Sequence, residues 1–381
     1  MNNNSQLTYY NGMCTFAFLM IKILRIVLFP ISILYGIVIF VRNLFYDWHL
    51  LHSHKFDIPV ISVGNLVVGG TGKTPMTEYL IKLLKDEKKI ATLSRGYGRK
   101  TRGFIVASAG TKSFLIGDEP KQYKHKFPEI IVSVGEKRGD AIDALISNYH
   151  PDAILLDDAY QHRSVIAGLS ILLFDYKDIY KMDFMLPTGN LREWKSGKRR
   201  ADIFIVTKCP SDLSEIEKEK IRRILNPKSN QTIYFTFIRY DELNLYDGDN
   251  HSSSMIQKIS FDELKKYSVL LVSGIANPTP LLIYIKTIGK EGVTLRFKDH
   301  HVFEERDIKH IKEKFDSIAN RDKIIVTTEK DLMRLTDLGP ETMASLHPLY
   351  YAPISTQFFD EDKNKFDEQI LNYVRKNKTN G

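Results

Sequence analysis

The stretch Val60 to Leu80, VISVGNLVVGGTGKTPMTEYL, decides the fold of this chain. Its β-branched beginning, with the residues just before it, predicts a strand over Ile58 to Val63. Apolar residues at helical spacing predict a helix over Thr74 to Leu84. Because the glycine-rich segment GGTGKT lies between them, the stretch has the strand, loop and helix order of a phosphate-binding loop.

The loop carries the groups that bind a nucleotide. Glycines without a Cβ let successive backbone N–H groups converge on phosphate oxygens. Lys73 is expected to reach the β and γ phosphates, and the Thr74 hydroxyl to hold Mg²⁺. The strict pattern has a glycine where this chain has Val67, so an ordinary glycine-rich turn is the alternative, which the flanking elements disfavour. The predicted nucleotide-binding positions are Gly69, Gly70, Thr71, Gly72, Lys73 and Thr74.

Composition places the chain among folded proteins with anionic partners. Its 381 residues, 43% hydrophobic and 26% charged, are enough for two packed domains. The net charge of +8 favours a nucleotide, a nucleic acid or an acidic membrane surface, without choosing among them. With only Cys14 and Cys209 present, neither a disulfide framework nor a cysteine metal cluster is available, which fits a reducing cytoplasm.

An apolar segment precedes the phosphate-binding loop. The first eleven residues contain no Lys or Arg, unlike a secretory signal. The uncharged run Ile26 to Val41 would span about 24 Å as a helix, short of a hydrocarbon core of about 30 Å. Extension over Met13 to Ile21 would cross the bilayer but bury Lys22 and Arg25. We therefore expect a helix embedded in one leaflet, with a full crossing as the alternative.

From Ile58 onward, candidate strands alternate with helices, which predicts an open, mostly parallel α/β sheet of the P-loop NTPase type with helices on both faces. After Cys209 the rhythm is interrupted, and we expect a smaller second α/β domain. The predicted segments are an apolar membrane-associating segment at 1–54, a P-loop core at 55–208, the second domain at 209–375 and a tail at 376–381.

Acidic residues follow the predicted strand Ile154 to Leu156. Asp157 and Asp158 emerge at its carboxyl end, where open α/β sheets bind ligands, and such carboxylates hold the Mg²⁺ of a bound nucleotide. Two acids after an apolar run are also typical of a plain strand-ending turn. Together with the phosphate-binding loop, however, they indicate a nucleoside triphosphatase or a kinase.

A second substrate site would distinguish a kinase from a triphosphatase. In the GDEP segment, Asp118 or Glu119 could orient or deprotonate an acceptor hydroxyl while the other assists Mg²⁺, although such a pair is also common in solvated turns. In KDHHVF, His300 or His301 could pair with a carboxylate. Joint metal binding by two adjacent histidines is disfavoured because they point in different directions. The VTTEKD segment predicts a helix cap.

Basic segments follow several of the predicted strands. SRGYGRK contains Arg95, and GEKRGD contains Arg138; both are suited to phosphate, with a solvated basic turn as an equal alternative for SRGYGRK. The run 186–200 has five cations around Trp194. A basic run with an aromatic residue is typical of nucleic-acid binding, but no stacking platform or helix-turn-helix pattern accompanies it, and anionic lipid headgroups fit equally well.

Taken in order, these segments resemble the lipid A 4'-kinases (tetraacyldisaccharide 4'-kinases), from the apolar segment before Arg42 to about Leu335. The similar motifs are SVGNLVVGGTGKTP, LSRGYGRK, GDEP, VGEKRGDA, LLDDAYQHR, LPTGNLREW, RADIFIVTK, SGIANP, FKDHHVF and VTTEKD. The family's loop also has the GGTGKTP form, so Val67 is no departure from it. Ala159, Tyr160 and Trp194 differ from the usual Gly, Phe and Pro and put local loop geometry in doubt.

The resemblance implies ATP and Mg²⁺ as cosubstrates and transfer of the γ-phosphoryl group to the 4'-hydroxyl of a tetraacylated glucosamine disaccharide 1-phosphate. It implies that Asp118 is the base or orienter of that hydroxyl and that His300 pairs with it. The implied magnesium ligands are Thr74, Asp157 and Asp158, with Glu119 and Glu193 as further metal or water ligands. Arg138 and Arg192 would neutralise phosphate charge. The implied location is the cytoplasmic face of the inner membrane, with no nucleic acid and no obligate protein partner.

Two other functions share the phosphate-binding loop. A GTPase switch or metallochaperone would carry the guanine-reading NKxD motif, but the nearest candidate, Thr207 to Pro210, lacks the final aspartate. A nucleic-acid-dependent ATPase would use the basic run but gives no reason for the apolar N-terminal segment.

Overall fold

The structure is a computed structural model that describes residues 4–248, 257–288 and 291–377. The strands are β1 Val60–Asn65, β2 Ile90–Ser94, β3 Ile105–Val106, β4 Ile131–Val134, β5 Ala153–Asp157, β6 Leu169–Asp175, β7 Ile203–Thr207, β8 Thr232–Tyr240, β9 Leu243–Leu245, β10 Lys258–Ile259, β11 Ser268–Ser273, β12 Glu291–Arg296, β13 Lys323–Thr328, β14 Leu349–Ala352 and β15 Ile354–Phe358. The helices are α1 Asn4–Asp47, α2 Lys73–Leu84, α3 Ser113–Ile116, α4 Asp118–Lys126, α5 Arg138–Tyr149, α6 Glu215–Leu225, α7 Phe261–Leu264, α8 Thr279–Ile288, α9 Glu305–Asp316, α10 Glu329–Leu335, α11 Pro340–Ala344 and α12 Asp360–Lys376. Short 3-10 helices lie at Tyr176–Asp178, Lys195–Arg200 and Thr336–Leu338.

The larger sheet has nine strands in the order β15-β8-β7-β6-β1-β5-β2-β4-β3. Its centre is parallel, and only the edge strands β3 and β15 pair antiparallel. Alternate residues of each strand face opposite sides: Ile61 packs with α2 and α12, whereas Val60 packs with α5. Because helices cover both faces, the central strands β1, β2 and β5 are buried along their whole length. The predicted P-loop NTPase-like sheet is confirmed.

The smaller sheet has six strands in the order β10-β9-β14-β13-β11-β12. β11 to β14 are parallel, and apolar residues of α8, α9 and α10 are buried against them. The division between the sheets does not coincide with the predicted boundary at 208/209, because β8 and β15 are strands of the larger sheet and α12 packs against it. A strand pattern predicts a strand but not its pairing partner. After β9 to β14 have formed the smaller sheet, the chain returns to the larger sheet with β15.

Helix α1 is longer than the predicted run of Ile26 to Val41 and lies along the larger domain. Over Val27–Asp47 it is long and apolar enough to cross a membrane. One face of it contacts the domain: Ser32 donates to Thr188 Oγ1 at 2.6 Å, and Asn43 donates to Glu193 Oε1 at 2.8 Å. The opposite face is apolar and exposed. It includes Val27, Ile31, Leu34, Val38 and Phe40.

Trp194 fixes the position of α1, because its indole nitrogen donates to Gly36 O at 2.9 Å. A Cβ at Gly36 would lie 2.7 Å from Trp194 Cζ2. We expect Gly36→Val to weaken the docking of α1 by about 1–3 kcal/mol, the usual range for overpacking. Faster limited proteolysis after α1 and a changed Trp194 fluorescence would show it. Gly110→Val, at a glycine with open space around it, is the control. Equal proteolysis of the two variants would contradict the docking contact.

Candidate active site

The phosphate-binding loop lies at the carboxyl end of β1 and leads into α2. Gly69 and Gly72 have φ angles of 107° and 87°, in the left-handed region that favours glycine. Asn65 donates to Thr71 Oγ1 at 2.7 Å, and Thr207 donates to the Thr71 carbonyl at 2.8 Å. The loop is therefore held from the ends of two strands, β1 and β7, and has the strand, loop and helix order that the sequence predicts.

Asp158 lies beside two cations at the end of β5. Arg192 Nη1 donates to both of its carboxylate oxygens at 2.8 and 3.0 Å, and Lys73 Nζ lies 3.5 Å from Oδ1. Burial opposes ionisation, but Lys73 and Arg192 outweigh it and hold the pKa of Asp158 below its usual range. The structure thus brings the predicted residues Lys73, Asp158 and Arg192 into one ionic group next to the loop.

Asp157 is buried and retains an unused acceptor. Tyr123 donates to its Oδ2 at 3.0 Å, while Oδ1 has no hydrogen-bond partner among the described residues. Burial first, and then the negative charges of Asp158 and Glu119, raise its pKa to about 6. A buried, unsatisfied carboxylate oxygen beside other acids suits a bound cation.

The arrangement fits Mg²⁺ bound together with a nucleotide. Mg²⁺ takes one or two protein carboxylates and completes its coordination with substrate phosphates and water. Thr74, Asp157 and Asp158 supply such a set. In the part of the chain that the structure describes, no three His, Cys, Asp or Glu side chains are grouped to hold a metal ion by themselves.

A cluster of positive charge lies close enough to Asp157 and Asp158 to interact with them. Arg138, in the first turn of α5, is almost fully buried, and its Nε and Nη2 have no partners among the described residues. Burial lowers the pKa of Arg138 to about 10, so it remains charged at neutral pH. Burial, Arg138 and Arg95 together lower the pKa of His162 to about 4. A neutral histidine beside a buried arginine whose nitrogens lack partners indicates a place for an anion.

Asp118 and His300 meet across the two sheets. Asp118 begins α4 rather than lying in a loop, and its Oδ2 is 3.2 Å from His300 Nδ1. This hydrogen bond raises the pKa of His300 above its ordinary value. His301 instead lies 2.8 Å from Asp307 and stacks on Phe297. Of the two adjacent histidines, the structure therefore places His300 at the predicted carboxylate.

Two predicted metal ligands are engaged elsewhere. Glu193 is buried and accepts from both terminal nitrogens of Arg200, at 2.5 and 2.9 Å. It also holds Asn43 of α1, so the structure does not bring it to Asp157. Glu119 accepts from Lys330 at 2.5 Å, and this positive charge overcomes burial and lowers the pKa of Glu119.

Sequence reasoning missed two residues at the site, Arg334 and Lys208. Arg334 Nε lies 3.2 Å from Asp118 Oδ2, and Lys208 Nζ donates to the Gly70 carbonyl in the phosphate-binding loop. For Arg334, the weak signal in the sequence was its helical spacing from Asp331. For Lys208, the signal was its position directly after a strand that ends near the loop.

Comparison with known proteins matches residues 24–375 to the family Tetraacyldisaccharide-1-P 4'-kinase. A tetraacyldisaccharide 4'-kinase of Flavobacterium johnsoniae is 48% identical and covers 93% of this chain and 99% of the relative. One of Bacteroides thetaiotaomicron is 44% identical and covers 93% and 94%. Among solved structures, LpxK from Aquifex aeolicus in complex with ATP matches with a TM-score of 0.71 and 29% identity, covering 92% of this chain and 99% of that one.

Proposed function

The chain belongs to the tetraacyldisaccharide-1-P 4'-kinase family and is an ATP-dependent lipid A 4'-kinase; we propose that it transfers the γ-phosphoryl group with Asp118 as the base. The observation that carries this proposal is the contact between Asp118, at the start of α4, and His300, in the loop after β12. Family membership leaves no place for a GTP switch or a nucleic-acid-dependent ATPase as the main function.

The donor half of the site, formed by the phosphate-binding loop and the residues at the end of β5, holds ATP. The amides of Gly69 to Gly72 and the ammonium of Lys73 bind the β and γ phosphates, and Arg192 adds positive charge where the γ-phosphoryl group leaves. Thr74, Asp157 and Asp158 would hold Mg²⁺, which when bound neutralises phosphate charge. Arg138, whose Nε and Nη2 have no partner among the described residues, neutralises a further phosphate group.

The acceptor half activates the sugar hydroxyl. The 4'-oxygen attacks the γ-phosphorus, its proton passes to Asp118, and the bond from the γ-phosphorus to the bridging oxygen breaks to leave ADP. His300 Nδ1 engages Oδ2 of Asp118, which leaves Oδ1 to face the hydroxyl. A hydrogen-bonded and partly buried carboxylate is thereby held in one orientation for the proton transfer.

The apolar face of α1 is proposed to bind the cytoplasmic leaflet of the inner membrane. Contacts to the domain run along α1 from Ser32 to Asn43, about 16 Å of helix. A helix packed sideways on a folded domain over that length lies in the interface plane more readily than across the bilayer. This orientation presents the site to an acylated substrate while ATP enters from water.

We expect Leu34→Glu to lower binding to anionic lipid vesicles by roughly tenfold or more, because burial of a leucine is worth about 1.5–3 kcal/mol. Leu34 is 62% exposed on the apolar face of α1. Ile283→Glu, on α8 and 58% exposed, is the matched control. Vesicle cosedimentation measures both. If both variants bind as the unchanged protein does, α1 is not the membrane contact.

The reaction is tested with purified protein, [γ-³²P]ATP, Mg²⁺ and tetraacyldisaccharide 1-phosphate in detergent micelles. We expect labelled lipid whose new phosphate is on the 4'-oxygen, located by NMR or mass spectrometry. Label at another hydroxyl, or ADP formed without labelled lipid, would contradict the proposed acceptor site.

A further inference from the structure

Arg334 connects the proposed base to the second sheet. Its Nε lies 3.2 Å from Asp118 Oδ2 and its Nη2 lies 3.2 Å from Asp331 Oδ1. Neither contact is aligned as a hydrogen bond, so both are ion pairs. Arg334 is 5% exposed and Asp331 is fully buried. One buried guanidinium thus lies between the carboxylates of two helices, α4 and α10, which pack on different sheets.

The same guanidinium organises the loops that carry His300. Arg334 Nη1 donates to the carbonyl oxygens of Gly274 and His301, at 3.1 and 3.2 Å. The amide of His300 donates to the same Gly274 carbonyl at 3.1 Å. A single side chain therefore contacts Asp118 and the backbone that sets the position of His300.

Asp331 in turn fixes Arg334. Thr328 is the N-cap of α10, and its Oγ1 accepts from the Asp331 amide at 3.1 Å, as the VTTEKD segment predicts. Oδ2 of Asp331 accepts from the Thr328 hydroxyl at 2.7 Å and from the Gly274 amide at 3.1 Å. Its Oδ1 remains for Arg334. Since all its neighbours are buried, this carboxylate has one orientation, and so does the guanidinium that it holds.

We propose that Arg334, held by Asp331, is a positioning residue that orients the Asp118 carboxylate toward the acceptor hydroxyl. Because Arg334 also binds the backbone next to His300, it fixes the positions of Asp118 and His300 relative to each other. The proposal rests on the assignment of Asp118 as the base. Arg334 touches neither substrate in the proposed reaction and acts through Asp118 Oδ2. Ion pairs that are close but poorly aligned without substrate are typical of catalytic contacts that tighten when the complex forms.

The test uses the double variant Asp331→Asn/Arg334→Gln. It removes the charges of Asp331 and Arg334 together, so neither is left as an unpaired buried ion. We expect kcat to fall roughly 10²-fold, since misplacement of a catalytic group costs about this much, while KM for ATP stays within about twofold. Arg334→Lys keeps the charge but lacks the fork that contacts both carboxylates, so an intermediate kcat is expected. Arg239→Gln, which breaks a surface pair with Asp241, is the control.

An unchanged kcat in the double variant overturns the proposal, and so does a parallel loss of ATP affinity and thermal stability, the signature of a merely structural pair. If the double variant does not fold, Arg334→Lys decides: a normal kcat refutes the positioning, and a lower kcat at unchanged KM for ATP supports it. Asp118→Asn is assayed alongside. Turnover by that variant would refute the base itself, whereas its inactivity beside fully active Arg334 variants would refute only the positioning.

Discussion

Asp118→Asn is expected to lower kcat roughly 10³-fold while leaving ATP affinity unchanged, because the amide cannot take the proton of the acceptor hydroxyl. Asp118 begins α4, and the residues that contact it come from the second sheet rather than from the phosphate-binding loop. Steady-state kinetics with the lipid acceptor and an ATP-binding titration measure the two effects separately.

The same variant has a spectroscopic signature. The hydrogen bond to Asp118 raises the pKa of His300, because a carboxylate stabilises the imidazolium form. Loss of the carboxylate should move this pKa down, so less of His300 is protonated at neutral pH, as NMR titration would show. Asp140→Asn, at an exposed acid in the first turn of α5, is the control. Normal turnover of Asp118→Asn would refute its assignment as the base.

Lys73→Met is expected to lower kcat/KM for ATP by about 10²–10³-fold, since it removes the cation that faces the charge developing on the transferred group. The variant also leaves Asp158 with Arg192 as its remaining ionic partner, because Lys73 Nζ lies 3.5 Å from its carboxylate. Phosphorylation kinetics with varied ATP measure the loss.

Lys82→Met is the control for this experiment, because Lys82 is exposed on the same helix, α2. We expect it to retain normal kinetics. Unchanged kcat/KM in Lys73→Met would show that the loop binds the nucleotide without its lysine, against the arrangement described above.

The positions of the phosphate-binding loop and of Asp157 and Asp158 in the fold could be predicted from the sequence because they depend on local patterns. The phosphate-binding loop lies within one strand, turn and helix, and Asp157 and Asp158 follow directly from a neighbouring strand of the same sheet. The carboxyl ends of parallel strands meet at one edge, so their proximity follows from the strand pattern alone.

The acceptor half could be predicted only by resemblance. Asp118 and His300 are 182 residues apart and come from different sheets, a relation that no local pattern contains. The spacing of Glu193 and Arg200 likewise did not show that the short 3-10 helix between them would turn the arginine back onto the glutamate. The cap in VTTEKD was predicted correctly, but not the contact of the following Arg334 with Asp118.

In the proposed reaction Asp118 and His300, from the two domains, act as one unit on the acceptor hydroxyl. Measurement of kcat for Asp118→Asn, His300→Ala and the double variant tests it most directly. Residues that act together are strongly non-additive, so the double variant should be about as slow as Asp118→Asn alone. If the two losses multiply in the double variant, the residues act independently, and the claim is contradicted.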